Sequence, residues 1–487
     1  MKKKNLLQEA TLFSTSLFLS RFLLSIRGFI IPKFLGPVEY GIYNGLFIVP
    51  DFLIHFHLGS LNALKREIPF CYGKGDFSQA QKIRNIVFTQ YMGTTVIAVL
   101  LLFFLTFFLK NHYSAVIIYC LWLIGLYILV QALVDAFWET LLRTDNRFDI
   151  LSKAEIFKSI FGFILMLVMI WFWRLYGVIA SAILSTLLKG GYIYNKTDYR
   201  LAWEWDYQEL KRLIAIGFPI IVGVVLFALF RSVDQMVIIK YLNSKQLGYY
   251  ALALALSKFL LIIQGGSFGI LEPKVYQLFG EKEEVQALKP IVLDPMEALT
   301  LFYPFIMGLT YIGSPYLIYL FLPHYLPSLT CMHILIVGSF FYIFLEGSYS
   351  FIVAINRQNL IVWAVGVGSV CSFGLNTFLI KKDLGIEGVA LGSVIVNVLV
   401  GCFFLGFILN RFFRSLKKKI TVLIGFFSPF LLVVFFLVLA DYFWPVSGLL
   451  KKEFGDVLMK VIGLTILNAP FLWKCKKKMA VIGLFRP

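Results

Sequence analysis

The chain has 487 residues, of which 59% are hydrophobic and 15% charged, and its mean hydropathy is +0.82. This composition lies far outside the range of soluble proteins and predicts a polytopic membrane protein. The formal net charge of +18 would suggest nucleic acid binding in a soluble protein. Here the basic residues follow the connections between apolar runs, so we expect no nucleic-acid partner.

The apolar runs predict an all-α fold of about fourteen transmembrane helices. The first run carries Arg21 and Arg27 and is followed by no cleavage pattern of small residues, so we expect it to remain in the protein. The predicted spans are 10–32, 40–60, 86–109, 113–137, 150–173, 175–194, 213–239, 247–270, 293–313, 329–354, 359–380, 386–410, 420–441 and 457–473.

Short sequence matches recur in the same order in the two halves, at an offset of about 210 residues. Six predicted spans separate equivalent points, and an even number places both copies on the same side of the membrane. The sequence therefore predicts two six-helix lobes as parallel pseudo-repeats, 1–200 and 201–412, followed by two C-terminal helices in 413–487. The matches are Lys33-Phe34-Leu35 with Lys240-Tyr241-Leu242, Gly41-Ile42-Tyr43 with Gly248-Tyr249-Tyr250, His112-Tyr113 with His324-Tyr325, Asn146-Arg147 with Asn356-Arg357, and Gly177-Val178 with Gly388-Val389.

Lysine and arginine are concentrated in the N-terminus, the even-numbered loops and the C-terminus. The positive-inside rule then places both termini in the cytoplasm of a cell-membrane protein. No predicted loop has room for a nucleotide-binding or catalytic domain, and no GxxxxGK[ST] motif is present, so we expect neither an enzyme nor a cofactor. The six cysteines show no metal-ligand spacing, which predicts no disulfide and no metal site.

Several motifs resemble Wzx-type oligosaccharide flippases, the polysaccharide transporter branch of the MATE-like (MOP) flippase superfamily. The resemblance covers nearly the whole chain and implies a transporter that moves an undecaprenyl-type lipid-linked oligosaccharide to the outer leaflet by alternating access. Related lipid II flippases carry first-helix arginines that line a cationic cavity, which matches Arg21 and Arg27 in type and position. The motifs are Ser20-Arg21, Arg27-Gly28, Leu35-Gly36-Pro37-Val38-Glu39-Tyr40-Gly41, Gly59, Arg66, Leu322-Pro323-His324-Tyr325 and Gly385-Ile386-Glu387-Gly388-Val389-Ala390-Leu391-Gly392-Ser393.

Charged residues inside predicted spans are candidate functional residues, because an ionised side chain at mid-bilayer costs at least about 2.5–3.5 kcal/mol. The cations exceed the anions among them, which favours an anionic substrate such as a pyrophosphate. Snorkelling of a first-helix arginine to the interface is the alternative. The predicted substrate-binding residues are Arg21, Arg27, Arg231 and Lys258, and the acids in the spans are Asp51, Asp234 and Glu346.

Three residues are predicted to act in gating or in coupling to H⁺ or Na⁺. Asp51 and His55 share a face of the second predicted helix with Asn44, and a histidine beside a carboxylate can titrate near neutral pH. A structural hydrogen-bonded pair fits the same spacing. Asp234 occupies the repeat position equivalent to Arg27, so the two side chains are expected to pair when the lobes close on that side. An in-helix pair with Arg231 is the alternative.

Two other functions fit the sequence less well. One is a cation-coupled exporter of small molecules of the MATE type. The arginines count against it because they favour an anionic substrate. The other is a membrane polysaccharide polymerase or glycosyltransferase, which usually needs a large outer loop. The expected partners are the lipid-linked oligosaccharide, membrane lipids and polysaccharide assembly proteins.

Overall fold

In the computed structural model the chain is described at residues 3–199, 201–443 and 454–482, without the side chains of 3–19, 21, 22, 25, 270, 454 and 477–482. Every regular element in this part of the chain is helical, which confirms the predicted all-α membrane fold. The helices are α1 (Lys3–Leu53), α2 (Ser60–Gly73), α3 (Phe77–Leu109), α4 (Ala115–Gln131), a π-helical segment (Ala132–Trp138), α5 (Glu139–Thr144), α6 (Phe148–Tyr194), α7 (Tyr207–Tyr241), α8 (Ser244–Lys282), α9 (Lys289–Phe321), α10 (Leu329–Gly338), α11 (Tyr342–Ala354), α12 (Gln358–Lys381), α13 (Gly385–Phe412), α14 (Leu416–Phe443) and α15 (Phe454–Ile482). Short 3₁₀ turns at Val285–Leu288, Pro323–Ser328 and Ser339–Phe341 join some of them.

Most of the predicted spans lie inside single helices that extend past them. The exceptions are 40–60, which runs beyond the end of α1, 113–137, which begins before α4, and 329–354, which covers both α10 and α11. Eleven helical stretches of the described chain are long and apolar enough to cross a membrane. Helix α1 is longer than one crossing needs and is interrupted at Gly36, where φ is 72° and ψ is 173°. The predicted total of fourteen spans stays a prediction.

Helix α6 is a hairpin of two antiparallel arms. Its backbone reverses at Arg174, where φ is 45° and ψ is −122°. Across the two arms, a Cβ placed on Gly162 would lie 3.1 Å from the Cβ of Ser185, and the Phe157 and Tyr192 rings stack with centroids 5.9 Å apart. The turn falls at the boundary predicted between the spans 150–173 and 175–194.

The chain forms two compact units, Met1–Ser232 and Val233–Pro487, so the division between them falls within α7. In the second unit, α14 and α15 both pack on α9. Lys460 of α15 pairs with Asp441 of α14 at 3.2 Å, and the Tyr311 hydroxyl of α9 donates to the same carboxylate at 2.6 Å. No sequence motif pointed to this polar contact among the last helices. The predicted lobes 1–200 and 201–412 and the tail 413–487 stay predictions.

The second predicted span, 40–60, ends earlier than expected because the chain must turn. Helix α1 stops at Leu53, and α2 begins at Ser60 after a turn in which Gly59 has a φ of 92°. The Gly59 backbone packs directly on the Gly217 backbone of α7, so a Cβ on either glycine would overlap the other residue. This close approach fixes the position of α7 on the first unit.

We expect Gly217→Ala to destabilise the protein by at least about 2–3 kcal/mol, because two packed backbones would have to separate. Gly75→Ala is the control: Gly75 also has a positive φ, 75°, but nothing lies within 4 Å of its Cβ position, so the cost should be about 1 kcal/mol of backbone strain. Thermal unfolding in detergent measures both changes. Equal shifts would show that the contact between the glycines contributes nothing.

Candidate functional site

Arg27 lies in the part of α1 before Gly36, and its side chain faces the first arm of α6. The hydroxyls of Ser20 in α1 and Ser159 in α6 are 2.6 Å apart. Nη1 of Arg27 lies 3.9 Å from the position that a Cβ would take at Gly162. The side chain is half-buried, and its Nε has no hydrogen-bond partner among the described residues. Arg27 therefore retains a donor for an anion, whereas the side chain of Arg21 lies outside the described residues.

Arg27 and Asp51 both lie near a group of packed aromatic rings in the first unit. The ring centroids of Tyr43 and Phe47 are 4.5 Å apart, and those of Phe47 and Tyr127 are 5.7 Å apart. The Arg27 charge acts on the hydroxyls of both tyrosines, and the Asp51 charge acts on that of Tyr127. The structure thus brings one predicted substrate-binding residue and one predicted coupling residue into the same region.

The predicted helical face shared by Asn44, Asp51 and His55 is wrong, because α1 ends before His55. Asp51 is exposed in the last turn of α1. His55 lies in the turn that follows, where its N–H donates to the Phe52 carbonyl at 3.1 Å. Its ring meets that of His57 edge to face at 6.2 Å. The gating or coupling roles of Asp51 and His55 stay predictions.

In the second unit, Asp234 of α7 is 8% exposed and is held by neighbours within the unit. One carboxylate oxygen accepts a hydrogen bond from the Tyr250 hydroxyl, and the other accepts from the Gln235 N–H at 2.8 Å. The Lys258 charge acts on this carboxylate, and the Lys258 side chain is exposed. Arg231, one turn earlier in α7, is also exposed.

A chain of oxygen-bearing side chains continues from Asp234 into α12 and α13. The Ser393 hydroxyl lies near the Tyr250 hydroxyl. Asn376 Nδ2 lies 3.2 Å from the Ser393 hydroxyl and 3.2 Å from that of Ser372. Asn376 is fully buried, and its Oδ1 has no partner among the described residues. Sequence reasoning missed this chain, although Tyr250 and Ser393 both stand in motifs that it singled out.

A cluster of charged side chains in the first unit was also missed. The Lys189 side chain is 1% exposed in the second arm of α6. Its Nζ donates to Asp135 at 2.9 Å and to Glu155, and lies 3.5 Å from Glu139. Lys158 pairs with Asp135 as well. The sequence signal that points to the cluster is Lys189, a lysine within an apolar run.

Asp135 reaches this cluster from the π-helical segment Ala132–Trp138 that joins α4 to α5. Such segments are rare and often mark functional sites. The carboxylate oxygens of Asp135, Glu139 and Glu155 lie within 4.8 Å of one another, a spacing that could hold a metal ion. Lys189 already supplies a cation to all three, and Arg143 pairs with Glu139 at 2.7 Å. The three acids are therefore balanced by Lys158, Lys189 and Arg143.

A family described as polysaccharide biosynthesis protein matches residues 30–322. No curated protein matches the sequence. Among solved structures, the lipid II flippase MurJ in an inward closed conformation is similar over 98% of this chain and 100% of that chain, with a TM-score of 0.71 and 17% identity. An inward-facing multidrug resistance MATE family transporter of the MOP superfamily matches over 81% and 95%, with a TM-score of 0.67 and 15% identity. The Vibrio cholerae MATE transporter VcmN in the bent form matches over 85% and 99%, with a TM-score of 0.54 and 13% identity.

These structural likenesses concern the fold, since their sequence identities are low. The family match rests on the sequence and covers more than half of the chain. The chain belongs to the polysaccharide biosynthesis protein family.

Proposed function

We propose that the protein is a flippase that moves a polyprenyl-pyrophosphate-linked oligosaccharide from the cytoplasmic to the outer leaflet by alternating access of two lobes. Family membership supports a role in making polysaccharide, and the fold is one found in a lipid II flippase and in MATE transporters. The observation that carries the proposal is Arg27, a half-buried arginine of the first unit whose Nε has no hydrogen-bond partner among the residues that the structure describes.

The substrate headgroup proposed for this site is a pyrophosphate. Arginine can bind phosphate oxygens in a bidentate manner, and a low dielectric strengthens the attraction. Arg27 and Arg21 would contribute from the first lobe, and Arg231 and Lys258 from α7 and α8. The aromatic rings of Tyr43, Phe47 and Tyr127 near Arg27 give the same region an apolar lining.

Asp234 is the strongest of the three candidates for ion coupling. A carboxylate that is 8% exposed in a membrane protein must be neutralised or bound, and oxygen groups surround it: the Tyr250 phenol and, through it, Ser393 and Asn376. A proton or a sodium ion would each satisfy that environment. Asp51 and His55 would serve the first lobe. We also propose cytoplasmic termini, a cell-membrane location and contacts with polysaccharide assembly proteins.

A cation-coupled exporter of the MATE type is the second candidate, because the same fold occurs in MATE transporters. The cationic residues at the site distinguish the two, since they favour an anionic headgroup over the cations that such an exporter would have to attract. A polymerase or glycosyltransferase would need a catalytic outer loop, whereas the connections between the described helices of the spans are short.

Depletion of the protein should cause lipid-linked repeat units to accumulate on the inner leaflet, and the purified protein in liposomes should move a fluorescent polyprenyl-pyrophosphate glycan across the bilayer. Arg21→Ala and Lys258→Ala should each slow that movement. Arg66→Ala is the control, because the Arg66 side chain is 74% exposed. If both variants flip the glycan at the full rate per folded molecule, these cations do not bind the headgroup. Movement of small cations but not of the glycan would favour the MATE-type exporter.

A further inference from the structure

The connection between α6 and α7 is not a loose loop. We name residues 201–207 the strap. From Trp203 to Tyr207, the first residue of α7, exposed and half-buried side chains alternate. Trp203, Trp205 and Tyr207 are 72%, 64% and 68% exposed. Glu204 and Asp206, which lie between them, are half-buried. A period of two places aromatic side chains on one face of an extended segment and acidic side chains on the other.

The acidic face of the strap is fastened to α3. Asn85 Nδ2 donates to Glu204 at 3.0 Å, and the Glu204 N–H donates to the Thr89 hydroxyl at 2.9 Å. Lys82 Nζ lies 2.8 Å from Asp206, and this hydrogen bond lowers the pKa of the Asp206 carboxyl. Asp206 also accepts from the Glu209 N–H, at 3.1 Å, at the start of α7. The strap therefore keeps both acids turned toward the helix bundle at neutral pH.

A second attachment holds the chain just before the strap. The Tyr199 hydroxyl donates to Asp145 at 2.9 Å, and Arg84 pairs with the same carboxylate at 2.6 Å. The Arg84 guanidinium lies 5.6 Å from the ring centroids of both Tyr72 and Tyr199. Burial raises the pKa of the Tyr199 phenol, so it remains a donor at neutral pH. Held in this way at both ends, the strap keeps its aromatic side chains largely exposed, and the Trp203 ring also packs on Phe88 of α3, with ring centroids 5.3 Å apart.

The position of the strap fits the headgroup layer. It joins two membrane-crossing helices, and Tyr207 lies six residues before the predicted span 213–239, or about 9 Å along a helix. The headgroup layer beside each face of the hydrocarbon core is about 5–8 Å deep, so Tyr207 lies at the outer edge of that layer. Tryptophan and tyrosine favour this layer, where the ring is in an apolar setting and its polar atom is hydrated. Lys196 and Lys211, on either side of the strap, are exposed and positively charged.

We propose that the exposed face of the strap, Trp203, Trp205 and Tyr207, is a lipid-binding surface that inserts into the headgroup layer of an anionic leaflet. Repulsion of that leaflet by Glu204 and Asp206 is reduced because both acids are half-buried and bonded to side chains of α3. Lys196 and Lys211 attract it. The strap then fixes the depth of the first unit in the leaflet, and this role stands whether or not the protein flips a lipid-linked glycan.

The test compares tryptophan fluorescence of the whole protein with that of the Trp203→Phe/Trp205→Phe variant, in nanodiscs with and without lipids brominated near the headgroup. The difference between the two proteins is the emission of the strap. The control pair is Trp171→Phe/Trp173→Phe, because Trp171 and Trp173 are 71% and 58% exposed at the turn of α6. We expect brominated lipid to quench the strap emission at least as strongly as that of the control pair.

Strap emission that is quenched by dissolved acrylamide but not by brominated lipid would overturn the proposal and leave the aromatic face free for a protein partner. The charge component is tested with nanodiscs of phosphatidylglycerol and of phosphatidylcholine. Lipid quenching should be stronger with phosphatidylglycerol, and Lys196→Gln/Lys211→Gln should remove the difference. Equal quenching in the two lipids for the unaltered protein would show that the surface does not recognise anionic lipid.

Discussion

Replacing Lys189 with methionine should destabilise the folded protein by about 3–5 kcal/mol, the usual cost of removing one partner of a buried ion pair. The side chain is 1% exposed, and its Nζ contacts Asp135, Glu139 and Glu155. Without it, Glu155 loses its cation in a low-dielectric part of the bundle. Thermal unfolding in detergent and the yield of folded protein measure the loss.

A second substitution should recover most of that stability. Lys189→Met with Glu155→Gln leaves Asp135 paired to Lys158 and Glu139 paired to Arg143. The control is Lys153→Met, because Lys153 is exposed on the same helix and its loss should cost no more than about 0.5 kcal/mol. If the double variant is as unstable as Lys189→Met alone, the instability comes from packing of the lysine stem and not from an unpaired charge.

Arg27→Ala should reduce the rate of glycan flipping per folded molecule by about 10–100-fold. This range corresponds to the loss of one charge-assisted hydrogen bond, about 1.5–3 kcal/mol. Arg27→Lys retains the charge but not the planar guanidinium, so its flipping rate should lie between those of the original protein and Arg27→Ala. The liposome assay with the fluorescent polyprenyl-pyrophosphate glycan measures all three rates. A lysine variant as fast as the original protein would show that charge alone suffices, and an alanine variant as fast would remove Arg27 from the site.

The expected pairing of Arg27 with Asp234 can be tested with a charge swap. Arg27→Asp and Asp234→Arg should each impair flipping, and the double variant should recover part of the rate if the two side chains pair in one state of the transport cycle. Defects that merely add would leave the hydrogen bond from Tyr250 as the account of Asp234.

The helices were predictable from the sequence because long apolar runs report membrane crossing directly. The turn of α6 at Arg174 falls at the boundary predicted between the spans 150–173 and 175–194, because that boundary was also placed from the apolar runs. The failure at His55 has a different origin. Helix α1 ends at Leu53 because Gly59 must meet Gly217, and a contact between residues so far apart in the chain leaves no local signal.

The Lys189 cluster escaped prediction because hydropathy averages over a window. One lysine hardly lowers the mean of an apolar run, and its partners come from the π-helical segment, α5 and the other arm of α6. Arg27 was found because it stands near the start of the chain in a motif with a known counterpart. A single cation within an apolar run is therefore a better signal of a buried charged site than mean hydropathy, if each such cation is examined individually.

The π-helical segment Ala132–Trp138 has a consequence for how this part of the chain tolerates changes in length. A widened turn accommodates one residue more than an α-helix would over the same rise. Deleting one residue there would restore α-helical winding and leave Glu139 at nearly the same angle around the axis, because the widened turn had absorbed the extra residue. Deleting a residue from α4 has no such turn to absorb it and would rotate all that follows by about 100°. The π-helical segment is therefore where this span can lose a residue while Glu139 keeps the angle at which it meets Lys189.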